Sequence, residues 1–173
     1  MIGARMGDRV LHVGVGDPGC FAIVSSKVGL TGRSCAVVDN AAAQAILERA
    51  AADQGVLVEV ALAAAGMWPY EASSFDVIVV DANALLGATA LERQDRLANT
   101  ARVVRPGGRL LAIQRRPRGI AGRLGFESRR SAPGGQALEL VRALEQAGFK
   151  PVRVLAEREG LSFVEGFRPT SNP

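Results

Sequence analysis

Short apolar runs rich in β-branched residues recur along the chain, and longer stretches with helical spacing lie between them. Val10, Leu11, Val13 and Val15 form the first run, Cys35 to Val38 the second, Val77 to Val80 a later one and Leu110 to Ile113 another. Runs of this length bounded by glycine or acidic residues read as buried strands. The pattern predicts strands near 9–14, 34–39, 56–61, 75–81, 108–114, 150–157 and 162–168. Helices are expected near 18–29, 40–53, 87–104 and 134–147. The second helix has Asn40 as its N-cap and Gly55 as its stop. The last follows Pro133-Gly134-Gly135, carries Leu138, Val141, Leu144 and Ala147 on one face, and ends at Gly148. Alternating strands and helices call for a parallel sheet with right-handed crossovers. The segment Glu157 to Gly160 instead reads as a hairpin turn, so the sheet should close with an antiparallel pair.

Composition narrows this picture to one domain over residues 1–173, since 48% hydrophobic content fits a sheet covered on both faces. The net charge of +4 comes from scattered arginines and has little bearing on partners. Cys20 and Cys35 sit in apolar elements without Cys-x-x-Cys spacing, which suggests buried thiols in a reducing compartment and no metal site. The opening residues lack the apolar core of a signal peptide, and no apolar run is long enough to span a bilayer. A cytoplasmic protein is expected.

The first strand runs directly into closely spaced glycines, Gly14, Gly16 and Gly19. Glycines there remove the Cβ atoms that would block a ligand, and the following helix turns its free N–H groups toward the turn. Asp39 ends the second strand twenty-five residues after Gly14, where a Rossmann-like unit places a carboxylate on ribose hydroxyls. The alternative is that Asp39 or Asn40 only caps the next helix.

Phe75-Asp-Val-Ile-Val-Val-Asp81 and Arg102-Val-Val-Arg-Pro-Gly-Gly-Arg-Leu-Leu-Ala112 resemble the fourth and fifth strands of class I S-adenosylmethionine-dependent methyltransferases. The similarity covers about residues 7 to 168, and its flavour is that of the ubiquinone/menaquinone-biosynthesis type. It shows in Gly7-Asp-Arg-Val-Leu11, Val28-Gly-Leu-Thr-Gly-Arg33, Trp68-Pro-Tyr-Glu-Ala-Ser-Ser-Phe-Asp76 and Ala147-Gly-Phe-Lys-Pro151. Pro106 is expected to stop the helix, with Gly107 and Gly108 turning the chain into the next strand. The resemblance implies a Rossmann-like three-layer α/β sandwich: a seven-stranded, mostly parallel sheet of order 3-2-1-4-5-7-6 with strand 7 antiparallel. It also implies S-adenosylmethionine as cofactor. The residues matched to its site are His12, Gly14, Gly16, Gly19, Asp39, Asn40, Ala65, Gly66 and Met67.

Three positions depart from the family pattern. His12 stands where relatives have an acid that holds the methionine ammonium, and a neutral imidazole does not replace that charge. Pro18 takes the third glycine position, and Asp17 becomes a candidate helix cap. No acid follows the third strand to hold the adenine amino group; Ala65, Gly66 and Met67 are left to pack on the purine or to serve only as core. Asp81, at the mouth of the fourth strand, is the catalytic candidate, orienting the acceptor or taking a proton, and it equally suits a helix cap; Asn83 is a second polar candidate that suits a cap better.

The stretch Gln114 to Arg130 holds six arginines, with Ile120, Leu124 and Phe126 among them. Arg115–Arg130 therefore suits an anionic or amphiphilic ligand, a partner protein, or a solvated loop. It lacks the aromatic interleaving of a nucleic-acid platform. Relatives commonly carry a helix before the first strand, whereas eight residues precede Arg9 here, so an open acceptor site is expected. Two readings result: a methyltransferase acting on a small-molecule acceptor, or a noncatalytic methyltransferase-like binding protein.

Overall fold

The computed structural model describes residues 3–64, 67–86, 89–115, 135–158 and 160–170. In chain order the elements are β1 (Arg9–Val13), α1 (Pro18–Val28), β2 (Arg33–Val38), α2 (Ala41–Asp53), β3 (Glu59–Leu62), β4 (Phe75–Asp81), α3 (Ala82–Leu86), α4 (Ala90–Val103), β5 (Val104–Arg115), α5 (Gly135–Gln146), β6 (Val152–Arg158) and β7 (Leu161–Phe167). The strands form one sheet of order β3-β2-β1-β4-β5-β7-β6. Pairing is parallel from β3 to β5, and β7 runs antiparallel to both β5 and β6. This is the Rossmann-like arrangement expected from the sequence.

Alternation along the strands sorts the core into two layers. Val10, Val77 and Val79 pack with Val24 and Val28 of α1, while Ala36 and Val38 meet Phe21 of α1 and Leu47 of α2. The opposite face presents Leu11, Val13, Ile78, Val80, Leu110 and Ala112 to Val103 of α4 and to Leu140 and Leu144 of α5. The adjacent β6 and β7 are joined through Gly160, whose φ of 79° suits a tight turn.

The structure corrects several expected boundaries. β3 begins at Glu59, three residues later than the apolar pattern suggested, and the short helix α3 follows β4 directly. The fourth helix ends ahead of Pro106, as expected, but the next strand does not wait for Gly108. α4 ends at Val103 and β5 starts at once, with Val104 paired to Phe75 before the ladder resumes at Val77 and Arg109. Pro106 and Gly107 fall in the resulting bulge, where proline's missing N–H is tolerated and Gly107 adopts φ 73°. A Cβ on Gly108 would lie 2.8 Å from the Arg105 carbonyl oxygen. The Arg-Pro-Gly-Gly segment also clamps the sheet: the Arg105 guanidinium pairs with Asp76, whose other oxygen accepts from the Arg9 N–H at 2.8 Å. One carboxylate thus ties together the starts of β1, β4 and β5.

Candidate functional site

β1 delivers the chain to Gly14, whose N–H donates to the Val37 carbonyl at 3.0 Å and whose φ is 80°. A Cβ there would stand 2.5 Å from the Cβ of Ala84, so no other residue fits without moving α3. Gly16 has φ 54°. Asp17 then caps α1 by accepting from the Cys20 N–H at 3.0 Å, and Pro18 occupies the first turn, where its missing N–H costs nothing. Gly19 lies inside that turn and lines neither of the two hollows described next.

Two hollows of about 230 Å³ each open at the carboxyl ends of the strands, and they share Val13, Gly14, Val15 and Asp81. Asp39, Asn40, Ala43, Ala63, Trp68 and Arg96 complete much of the first. Asn40 caps α2, its Oδ1 accepting from the Ala43 N–H at 2.8 Å, and its Nδ2 donates to Asp39 at the same distance. Asp39 is therefore not the cap. Its carboxylate faces the hollow, 58% exposed, with an Arg96 guanidinium nitrogen 3.5 Å away. Arg96 also donates to the Ala84 carbonyl and is itself mostly buried.

Arg96 was not legible as a site residue, because nothing in its spacing separates it from the other arginines of α4. Trp68 enters the sequence reading only within the segment Trp68–Asp76 that resembles the family, and Met67 as a candidate cover for the purine. The roles are divided differently: Met67 is 79% exposed and lines neither hollow, while Trp68 is buried in the wall of the first. The Arg102 guanidinium holds this corner through the carbonyls of Trp68 at 3.2 Å and Tyr70 at 2.6 Å. Ala65 and Gly66 lie outside the described residues.

The second hollow carries His12, Phe21, Val79, Ile113 and Phe163 in its wall. His12 is a mid-sheet residue, paired with Ala36 and Val79, and its ring meets Phe21 edge-on at 4.6 Å. Burial pushes its pKa down to about 3, so the imidazole is neutral and cannot supply the missing negative charge. Its Nε2 has no hydrogen-bond partner among the described residues. Asp81 ends β4 and accepts from the Asn83 N–H at 3.0 Å, so it caps α3 while lining both hollows. No other carboxylate among the described residues lines both. At the rim, Arg115 pairs with Asp17 at 3.0 Å; the remainder of the arginine-rich stretch, through Arg130, lies outside the described residues.

An open α/β sheet with bare glycine backbone at the β1–α1 turn and an acid after β2 defines a nucleotide-type site at the carboxyl ends of the strands. The comparison with known families is more specific: residues 11–112 match the family described as Methyltransferase domain, more than half of the chain. The chain belongs to the class I S-adenosylmethionine-dependent methyltransferase family. Among solved structures it is similar to an S-adenosylmethionine-dependent methyltransferase from Aquifex aeolicus, with 22% identity, a TM-score of 0.74, and coverage of 96% of this chain and 85% of that one. An O-methyltransferase from Thermotoga maritima is 13% identical, with a TM-score of 0.72 and coverage of 100% of this chain and 63% of that one. The cyclase SpnF is 18% identical, with a TM-score of 0.71 and coverage of 96% and 76%. At such identities these likenesses establish the fold alone. No curated protein sequence matches the chain.

S-adenosylmethionine is the cofactor of this family, and the residues present fit it. Gly14 leaves bare backbone where the two hollows meet, Asp39 offers an acid at one end, and Asp81 stands at the junction.

Proposed function

We propose that the protein transfers a methyl group from S-adenosylmethionine to a small-molecule acceptor. When bound, the cofactor supplies a methyl group activated by a positive sulfonium. The observation that carries the reading is the pair of hollows joined at Gly14, one ending at Asp39 and both touching Asp81. Asp39 accepts the ribose hydroxyls, an arrangement a carboxylate matches bidentately, and Arg96 yields part of its contact to them. Asn40 keeps the Asp39 carboxylate oriented while capping α2. Gly14 and Gly16 let the backbone approach the ligand closely. Asp81 carries the negative charge that His12 does not, and it orients the acceptor at the point of transfer. Alignment of the reacting atoms is the main requirement of such a displacement, so the transfer needs no dedicated base.

No helix among the described residues is long and apolar enough to cross a membrane. Cys20 and Cys35 are both free, with burial raising both thiols, which fits the proposed cytoplasmic setting. The noncatalytic reading gains nothing from the site, since the altered positions leave both hollows intact.

The test is Asp39→Asn, which keeps the shape of the side chain and removes its charge. Calorimetric titration with S-adenosylhomocysteine should show affinity reduced about tenfold or more, as expected when charge-assisted hydrogen bonds worth roughly 1.5–3 kcal/mol each are weakened. Equal affinity in the folded variant would remove Asp39 from the site.

A further inference from the structure

We propose that β3 is a pairing edge, and that a second copy of this chain lays its own β3 antiparallel against it about a two-fold axis through Val60. The contact lies outside the cofactor site and does not depend on the methyltransferase reading.

β3 and β6 form the two edges of the sheet, and an edge strand left open is a template for another chain. β6 is guarded: a register shift between Val154 and Ala156 breaks its line, and Arg153 puts a charged side chain, 61% exposed, along it. β3 has neither device. Its one charged residue, Glu59, is already held by Arg33 through hydrogen bonds of 2.8 and 2.6 Å. No strand among the described residues pairs with its outer side, yet apolar side chains flank it, Leu57 being 82% exposed and Leu62 54%. Ile46 is 47% exposed on α2, which packs over the Val58 and Val60 side of β3 through Leu47. Apolar surface beside an open backbone edge marks a contact with another chain.

The backbone sets the register of that contact. The Ala63 N–H donates to the Val38 carbonyl at 2.9 Å, so the odd-numbered residues of this stretch turn their main-chain groups to β2. Strand alternation then points the N–H and C=O groups of Val58, Val60 and Leu62 outward. With Val60 opposite its own copy, Val58 faces Leu62 on either side of the axis. Each facing pair exchanges both N–H···O bonds, so every one of these outward groups is satisfied. Neighbouring registers fail. An axis at Glu59 sets like charges against each other and Leu62 against Val56, whose N–H is bound to the Ala51 carbonyl. An axis at Ala61 sets Val58 against Ala64, whose carbonyl accepts from the Met67 N–H. The Val60 register also gives the exposed Leu57 a place, opposite Ala63 of the other copy, in the wall of the first hollow. A two-fold contact of this kind closes on itself, so the assembly stops at a dimer.

In analytical ultracentrifugation the full chain should sediment at twice the 18.1 kDa of one copy. Val60→Cys places thiols on the axis, where facing Cα atoms lie about 5.5 Å apart and within disulfide reach. Mild oxidation should join the copies and reduction should part them, with the native protein setting the background from Cys20 and Cys35. Leu57→Cys is the more exposed thiol, yet its two copies stand roughly 20 Å apart in this register, so it should not cross-link. Val60→Pro removes an N–H that serves only the partner and is tolerated on an edge strand, so it should halve the mass and leave the circular dichroism unchanged. The proposal is overturned by a monomeric native chain, by a dimer that Leu57→Cys cross-links and Val60→Cys does not, or by a folded Val60→Pro variant that stays dimeric. If Val60→Pro does not fold, the two cysteine variants decide.

Discussion

His12 shows how one residue can be legible in position and illegible in state. Its place two residues before Gly14 marks it as the substitute for the family's acid, and that much follows from the sequence. Its burial against Phe21 depends on how α1 settles across the sheet, a long-range outcome that no local pattern encodes. The consequence is a pH dependence with a definite sign. In the unfolded chain the imidazole titrates near 6.5, whereas in the fold burial lowers its pKa to about 3. Between those values the unfolded chain binds a proton that the native protein does not, so this contribution to stability is intact above pH 6.5 and is lost as the pH falls. The native protein should lose about 1.4 kcal/mol per pH unit relative to His12→Phe across that window. Urea unfolding at pH 7 and pH 5 measures it, and parallel pH dependence of the two proteins would refute it. Arg96 is the opposite case: position on α4 gave no clue, and only folding brings it to Asp39.

Among the elements, strands with uninterrupted apolar runs were readable almost to the residue, β4 at Phe75–Asp81 above all. The errors fall where local chemistry and the ladder disagree. Gly107 and Gly108 read as a turn ahead of the strand, yet β5 begins at Val104 and takes them into a bulge because Val104 is already paired with Phe75. α3 was missed because five residues are too few to display a helical period. β7 contains an acid that the alternation does not explain: Glu165 is 3% exposed and paired with Arg109 at 3.1 Å and Arg153 at 2.8 Å. It joins β5, β7 and β6 across the antiparallel end of the sheet. Glu165→Ala leaves both guanidinium groups without this partner. The expected loss is about 3 kcal/mol, the lower end for a broken buried pair because Arg153 is largely exposed. Chemical denaturation measures it, and a loss no larger than that of an ordinary surface substitution would show that the cluster adds little.

At the scale of the whole molecule, the order β3-β2-β1-β4-β5-β7-β6 puts β1 and β4 side by side, so Gly14 and Asp81 meet although sixty-seven residues separate them. The family resemblance implied this order in advance, whereas the alternation of strands and helices implied only a parallel sheet closed by an antiparallel pair. The division of the mouth into two hollows was not readable, because it depends on how the Val13–Val15 turn meets the end of β4 at Asp81. These joined hollows are proposed to bind the methyltransferase cofactor. The most direct test is calorimetric titration of the native protein with S-adenosylhomocysteine, with NAD as the competing dinucleotide. Saturable one-to-one binding of S-adenosylhomocysteine is expected, with no heat of binding from NAD; binding of NAD alone, or of neither, would refute the cofactor assignment.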